Sequence, residues 1–225
     1  MAKANKNLRR KIIATAQLFN KTGMSMGTSG NLSARTKHGF LITPTGVPYD
    51  DLELADIVEM NLNGDLVSGK LEPSTEWPFH KAIYISRTEV NAIVHVHSPY
   101  ATGVACTRQD IPAFHYMVAV IGGDSIRCAP YATFGTEELS RNAVAALADR
   151  KACLLANHGM IALGEDIPSA FRLAEEVENL AMQYWISKQI GTPVLLNDVE
   201  MKVNKEKFKT YGRQSINFKR KRRKS

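Results

Sequence analysis

Leu8, Ile12, Ala16 and Phe19 return at intervals of three or four residues, the spacing of one apolar helix face, and Thr22-Gly23 supplies the stop. The turn-rich stretch Gly27-Thr28-Ser29-Gly30-Asn31-Leu32-Ser33 then leads into a short strand. Phe40 to Thr43 reads as a second strand, broken by Pro44-Thr45-Gly46-Val47-Pro48. Ile57 to Leu62, Asn63-Gly64 and Asp65 to Val67 have the pattern of a hairpin, with Asn-Gly expected to supply the positive φ angles of a type I′ turn. Pro73-Ser74-Thr75-Glu76-Trp77-Pro78 opens a helix, with Ser74 or Thr75 expected as N-cap and Pro78 tolerated in the first turn.

After Ile83 and Ile85 the pattern changes to the β-prone run Asn91-Ala92-Ile93-Val94-His95-Val96-His97-Ser98. Pro99 to Thr107 reads as a short helix, and Gly122-Gly123 turns the chain before another strand near Cys128. Thr136 to Leu147 is a capped helix. Ala152 to Ala156 is a buried-strand pattern stopped by Asn157-His158-Gly159, and Ile161-Ala162-Leu163 continues as strand. From Ile167 to Ile190, the residues Ala170, Ala174, Val177, Ala181 and Tyr184 mark one stripe of a long helix. Strands come singly and in hairpins between helices, so the expected fold is α/β, three-layered α/β/α. Its central sheet is mixed and mostly antiparallel, flanked by helices in a single domain.

Length is compatible with that one domain: 225 residues suffice for a sizeable core. The expected division is a domain over 1–214 and a basic, disordered tail over 215–225. Charge sharpens the division, because six of the seven net positive charges sit in Lys219-Arg220-Lys221-Arg222-Arg223-Lys224. The body is nearly neutral, and the run carries no aromatic stacking partners, so nucleic acid is not the expected partner. No apolar run approaches the ~20 residues that span a bilayer, and the basic N-terminus runs into an amphipathic pattern unlike a secretory signal. Cys106, Cys128 and Cys153 form no Cys-x-x-Cys pair, which suits free thiols in a reducing cytoplasm.

Chemistry enters at His95 and His97. Two apart on a strand, both imidazoles leave one face while Val94 and Val96 pack on the other. His-x-His is only half a metal site. His158, between a strand and a glycine, is placed to complete a set of three neutral ligands with one open position, the pattern of a catalytic rather than structural zinc site. Glu76 is either a proton-transfer group or simply an acid favoured by the start of its helix. His80, one turn later, is either a partner of the site or helix surface. Three stretches, Thr28 to Asn31, Thr45-Gly46 and Ser74-Thr75, combine small polar side chains with accessible N–H groups, as phosphate sites do; singly, each is a turn or a cap. None is a Walker or dinucleotide fingerprint, so no nucleotide cofactor is indicated.

Taken together, the chain resembles the class II sugar-phosphate aldolase/epimerase family, and within it the aldolase branch. The resemblance is carried by Gly27-Thr28-Ser29-Gly30-Asn31, Thr43-Pro44-Thr45-Gly46, Pro73-Ser74-Thr75-Glu76-Trp77 and His95-Val96-His97. It continues through Ile111 to Met117, Ala129 to Thr136, Asn157-His158-Gly159 and Lys207 to Gly212, all in family order. By that resemblance His95, His97 and His158 would hold one Zn2+ per subunit and Glu76 would be the catalytic acid/base. Thr28, Asn31, Thr45, Gly46, Ser74 and Thr75 would hold the phosphate. Tyr116 would reach the aldehyde oxygen from a neighbouring subunit of a homotetramer with interfacial sites. Phe134, Phe208 and Tyr211 would line the aldehyde side. The implied reaction is retro-aldol cleavage of a keto-sugar phosphate to dihydroxyacetone phosphate and an aldehyde. A ribulose-phosphate 4-epimerase, which re-adds the aldehyde on its other face, is the rival.

Overall fold

One sheet organises the chain: β1 (Asn31–Arg35), β2 (Gly39–Ile42), β3 (Val58–Asn61), β4 (Leu66–Ser68), β5 (Ala92–Val96), β6 (Cys128–Ala129), β7 (Ala152–Leu155) and β8 (Gly159–Gly164). Their order is β4-β3-β2-β1-β5-β8-β7-β6, antiparallel throughout except where β6 pairs with β7. Residues 5–211 are described by this computed structural model, and the tail expected at 215–225 lies outside them.

Period-two alternation sorts the central strand between two cores. Val94 and Val96 face one, with Ile12 and Phe19 of α1 (Lys6–Thr22), Ala101 of α3 (Pro99–Cys106), and Ala174 and Val177 of α5 (Ile167–Ile190). Ile93 faces the other, with Phe79 and Ile83 of α2 (Trp77–Ser86) and Leu139 of α4 (Glu137–Ala146). His95 follows Ile93 by two and shares its face. Helices therefore cover both sides of a mixed sheet, as expected. Each fully buried Ile or Phe stabilises by roughly 1.5–3 kcal/mol. An exposed pair such as Arg141 and Glu137, 3.9 Å apart, is worth a few tenths at most, so packing decides the fold.

The helix ends follow the sequence. Gly23, at φ 73°, closes α1 in the left-handed region and donates its N–H to the Asn20 carbonyl. Thr136 caps α4 by accepting from the Leu139 N–H at 3.2 Å, and Asp166 with Ser169 forms a capping box on α5.

Three local expectations are corrected. The β3–β4 hairpin does not use a type I′ turn, because only Gly64 of the Asn-Gly pair has positive φ, at 100°. Instead Gly64 N–H donates to the Asn61 carbonyl, and the Asn61 side chain accepts from the N–H groups of Asn63, Gly64 and Asp65. That side chain fixes a longer loop with a single left-handed residue, and the strand register shifts nearby, between Glu59 and Met60. The N-cap of α2 is Glu76, not Ser74 or Thr75; Ser74 instead accepts from the Glu76 N–H at 3.4 Å. Finally, α6 (Asp198–Phe208) and a 3-10 segment at Tyr116–Ile121 stand where no element was expected.

Candidate metal centre

The strand pairing brings the three histidines together. β5 carries His95 between β1 and β8, opposite Asn31 on one side and Ile161 on the other. The His95 Nδ1–H donates to the Met160 carbonyl at 2.9 Å, which turns Nε2 toward the sheet end as a lone-pair donor. His158 sits in the turn between β7 and β8, following Asn157 at φ 54°. Gly159 makes that turn possible: a Cβ there would lie 2.5 Å from the Val96 carbonyl oxygen and 2.7 Å from His97 Cδ2. Only glycine lets the turn close against β5.

The rings form a near-regular triangle, with centroids 4.9, 4.8 and 4.9 Å apart for the pairs His95–His97, His95–His158 and His97–His158. Nε2 of His95 lies 3.0 Å from Nε2 of His97. Glu76 closes the fourth side, with Oε2 3.1 Å from His95 Nε2 and Oε1 3.1 Å from His158 Nε2. Among the described residues, this is the one cluster of three or more His, Cys, Asp or Glu donors close enough to hold an ion.

Electrostatics favour the ligand forms. Burial pushes the His97 pKa down to about 3, assisted by His95 and His158, so the imidazole is neutral. Burial raises the pKa of Glu76, but the facing His95 and His158 imidazoles outweigh it and hold the carboxyl below the usual range. Its Oε1 is buried, with the His158 Nε2 3.1 Å away as a polar neighbour. A lone buried carboxylate oxygen is costly, and a cation among the three Nε2 atoms would meet it. The donor set therefore fits a divalent metal.

Over this cluster lies a cavity of about 330 Å³. Thr28, Asn31, Thr45, Ser74, Thr75 and Phe134 line it together with Glu76, His97 and His158, so residues from distant stretches of the chain meet there. Gly46, at φ 70°, follows Thr45 but is not part of the lining. Tyr116, Phe208 and Tyr211 are elsewhere. Phe208 stacks on Tyr116 with centroids 6.2 Å apart and meets Tyr211 edge-on at 5.4 Å. None of the three lines the cavity of its own chain, and Tyr116 and Tyr211 are exposed.

Sequence reading missed Tyr131 and Asn157, which also line the cavity. It left His80 undecided; the ring is fully buried, and Nε2 contacts Asn31 Oδ1 at 2.6 Å. The one signal available was the spacing of His80 one helical turn from Glu76.

A family model described as "Class II Aldolase and Adducin N-terminal domain" matches residues 10–185. The chain is 51% identical over 205 residues to a Rhodospirillum rubrum protein named 5-methylthioribulose-1-phosphate/5-deoxyribulose-1-phosphate aldolase, covering 91% of this chain and 92% of that one. It is 50% identical over 206 residues to the L-fuculose phosphate aldolase of Escherichia coli K12, covering 91% and 95%. A solved structure titled L-fuculose 1-phosphate aldolase superposes with a TM-score of 0.89 at 42% identity, covering 92% of this chain and 98% of that one.

Proposed function

The chain belongs to the class II aldolase and adducin N-terminal domain family, and from that footing we propose that it cleaves L-fuculose 1-phosphate reversibly to dihydroxyacetone phosphate and L-lactaldehyde. The observation that carries the reading is the convergence of His95, His97, His158 and Glu76 beneath a cavity rimmed by hydroxyl side chains.

In this reading His95, His97 and His158 hold one divalent cation, zinc by preference of three imidazoles with an open position. Bound there, it supplies Lewis acidity for the substrate's carbonyl and adjacent hydroxyl oxygens. Thr28, Asn31, Thr45, Gly46, Ser74 and Thr75 bind the phosphate, beside the N-terminus of α2. In the condensation direction, ionised Glu76 takes a proton from C3 of dihydroxyacetone phosphate; in cleavage it returns a proton to C3 once the C3–C4 bond has broken and the aldehyde has separated. Tyr116 accepts the C4 hydroxyl proton on cleavage and donates it on condensation. Because Tyr116 does not line its own chain's cavity, the complete site takes that phenol from a neighbouring copy in a homotetramer. Phe134, Phe208 and Tyr211 pack around the departing aldehyde.

A second reading is favoured by the Rhodospirillum rubrum relative. Cleavage of 5-methylthioribulose 1-phosphate or 5-deoxyribulose 1-phosphate between C3 and C4 yields the same triose phosphate and differs only in the aldehyde. The test is to incubate purified protein with each of the three ketose phosphates, with and without a chelator, and follow triose phosphate release. The proposal expects chelator-sensitive release with the highest kcat/KM for L-fuculose 1-phosphate. Preference for a pentulose phosphate selects the second reading. A ketopentose phosphate product from L-ribulose 5-phosphate, with no triose phosphate from any of them, identifies an epimerase instead.

A further inference from the structure

Five buried side chains form one continuous file of hydrogen bonds ending on Glu76. Tyr84 Oη lies 2.8 Å from Ser33 Oγ, which lies 2.7 Å from His80 Nδ1. His80 Nε2 lies 2.6 Å from Asn31 Oδ1, and Asn31 Nδ2 lies 2.9 Å from Glu76 Oε2. Tyr84, Ser33 and His80 are completely buried, and Asn31 and Glu76 nearly so.

Two periodicities build the file. Asn31 and Ser33 are two apart on β1 and share a face; Glu76, the N-cap of α2, and His80 and Tyr84 within it follow one another at four-residue intervals along one stripe. The strand residues interleave with the helix residues. Phe79 lies nearly parallel to the His80 ring, with centroids 4.6 Å apart, and restricts its tilt.

The direction of every bond follows from Asn31. An amide oxygen only accepts and an amide nitrogen only donates. Asn31 Oδ1 therefore accepts from the Nε2–H of His80. A neutral imidazole has one N–H, so His80 Nδ1 is an acceptor and the Ser33 hydroxyl donates to it. The Ser33 oxygen then accepts from Tyr84. All the donors point the same way, and the last delivers an N–H to Glu76 Oε2. Oε1, on the other side of the carboxylate, takes no bond from this file and faces the metal cluster, with His158 Nε2 3.1 Å away.

We propose that His80 is a positioning residue for proton transfer: fixed as its Nε2–H tautomer by Ser33 and Tyr84, it aims the Asn31 amide at Oε2 of Glu76 and leaves Oε1 as the oxygen that exchanges the substrate proton. This rests on the aldolase reading, in which Glu76 carries the proton at C3. His80 touches neither substrate nor metal ligand and acts only through Asn31.

The experiment uses zinc-loaded full-length protein and the variants His80→Phe and His80→Gln. Four quantities are measured: deuterium incorporation from solvent into C3 of dihydroxyacetone phosphate, cleavage kcat and KM, zinc per chain, and thermal melting. His80→Phe, which has no donor for Asn31, is expected to slow exchange and kcat together by about 10- to 100-fold, the usual effect of losing a partner behind a functional group. Zinc content is expected to stay near wild type, and KM, which Asn31 also serves through the phosphate, is expected to change less than kcat. His80→Gln can again offer an N–H to Asn31 and is expected to recover most of the exchange rate. Exchange at the wild-type rate in His80→Phe, or a loss that only tracks lost zinc, overturns the proposal. Should His80→Phe not melt cooperatively, Ser33→Ala, which frees Nδ1 to take the proton, is read by the same criteria. Wild-type protein that releases no triose phosphate rejects the aldolase reading itself; active wild type with unaffected variants rejects only the role of His80.

Discussion

Nε2 of His95 and Nε2 of His97 lie 3.0 Å apart at the end of β5, with His95 already bonded through its other nitrogen to the Met160 carbonyl. Two donors each about 2.0–2.1 Å from one tetrahedral ion stand a little over 3 Å apart, so this spacing suits a shared zinc. Zinc titration is expected to show one ion per chain. At free zinc a hundredfold above Kd, the folded state should gain about 2.7 kcal/mol over the chelated protein. His97→Ala should show neither effect, and both are read from denaturant melts with metal analysis.

Gly159→Ala is expected to disturb the site without touching a ligand. Its Cβ would enter the space of the Val96 carbonyl oxygen and the His97 ring. Overpacking of this kind costs about 1–3 kcal/mol, and here the displaced groups are β5 and a proposed ligand. The denaturation midpoint and the bound zinc should both fall. An alanine variant with full zinc occupancy would show that the turn has slack.

Much of this arrangement was legible, for identifiable reasons. His95 and His97 declared a shared face because a strand's period is two, and Gly159 after His158 marked a tight turn. What brings His158 to them is the antiparallel pairing of β8 with β5, a long-range fact absent from any local pattern. The same holds for His80, whose partners Ser33 and Asn31 lie on a strand more than forty residues away. The helix α6 went unread because only Met201 of it is buried, which leaves no apolar stripe. Its capping box, Asn197 with Glu200, was nevertheless present in the sequence. Glu76 was placed one or two positions too deep in its helix, since Ser74 and Thr75 are better cappers by type and the contest is settled by backbone geometry.

Acid sensitivity should trace partly to His80. Burial pushes its pKa down to about 3 from an ordinary 6.5, reinforced by His95. Below about pH 6.5 the unfolded chain binds a proton at this residue that the folded chain refuses, so stability falls as pH falls. The slope from one such group approaches 1.4 kcal/mol per pH unit between the two values. Chelated wild type compared with His80→Gln between pH 7 and 5 should show this difference, with wild type losing more. Parallel curves would mean that His80 protonates without cost.

If Tyr116 serves a neighbour's site, two inactive variants should complement each other. Tyr116→Phe keeps an intact Glu76, and Glu76→Gln keeps an intact Tyr116. Co-refolded in equal amounts, random assembly around a closed ring leaves about a quarter of the sites with both groups, and activity should return to roughly that level. No recovery in mixed assemblies would place Tyr116 in its own chain's chemistry, or outside it.

The central claim is that Glu76 moves the proton while the three histidines hold the metal. Glu76→Gln keeps size and shape but cannot act as acid or base. With zinc content verified as unchanged, cleavage of L-fuculose 1-phosphate should fall by roughly a hundred- to ten-thousand-fold, the range for loss of a general acid–base group. Near-normal cleavage by a zinc-loaded Glu76→Gln enzyme would contradict the account.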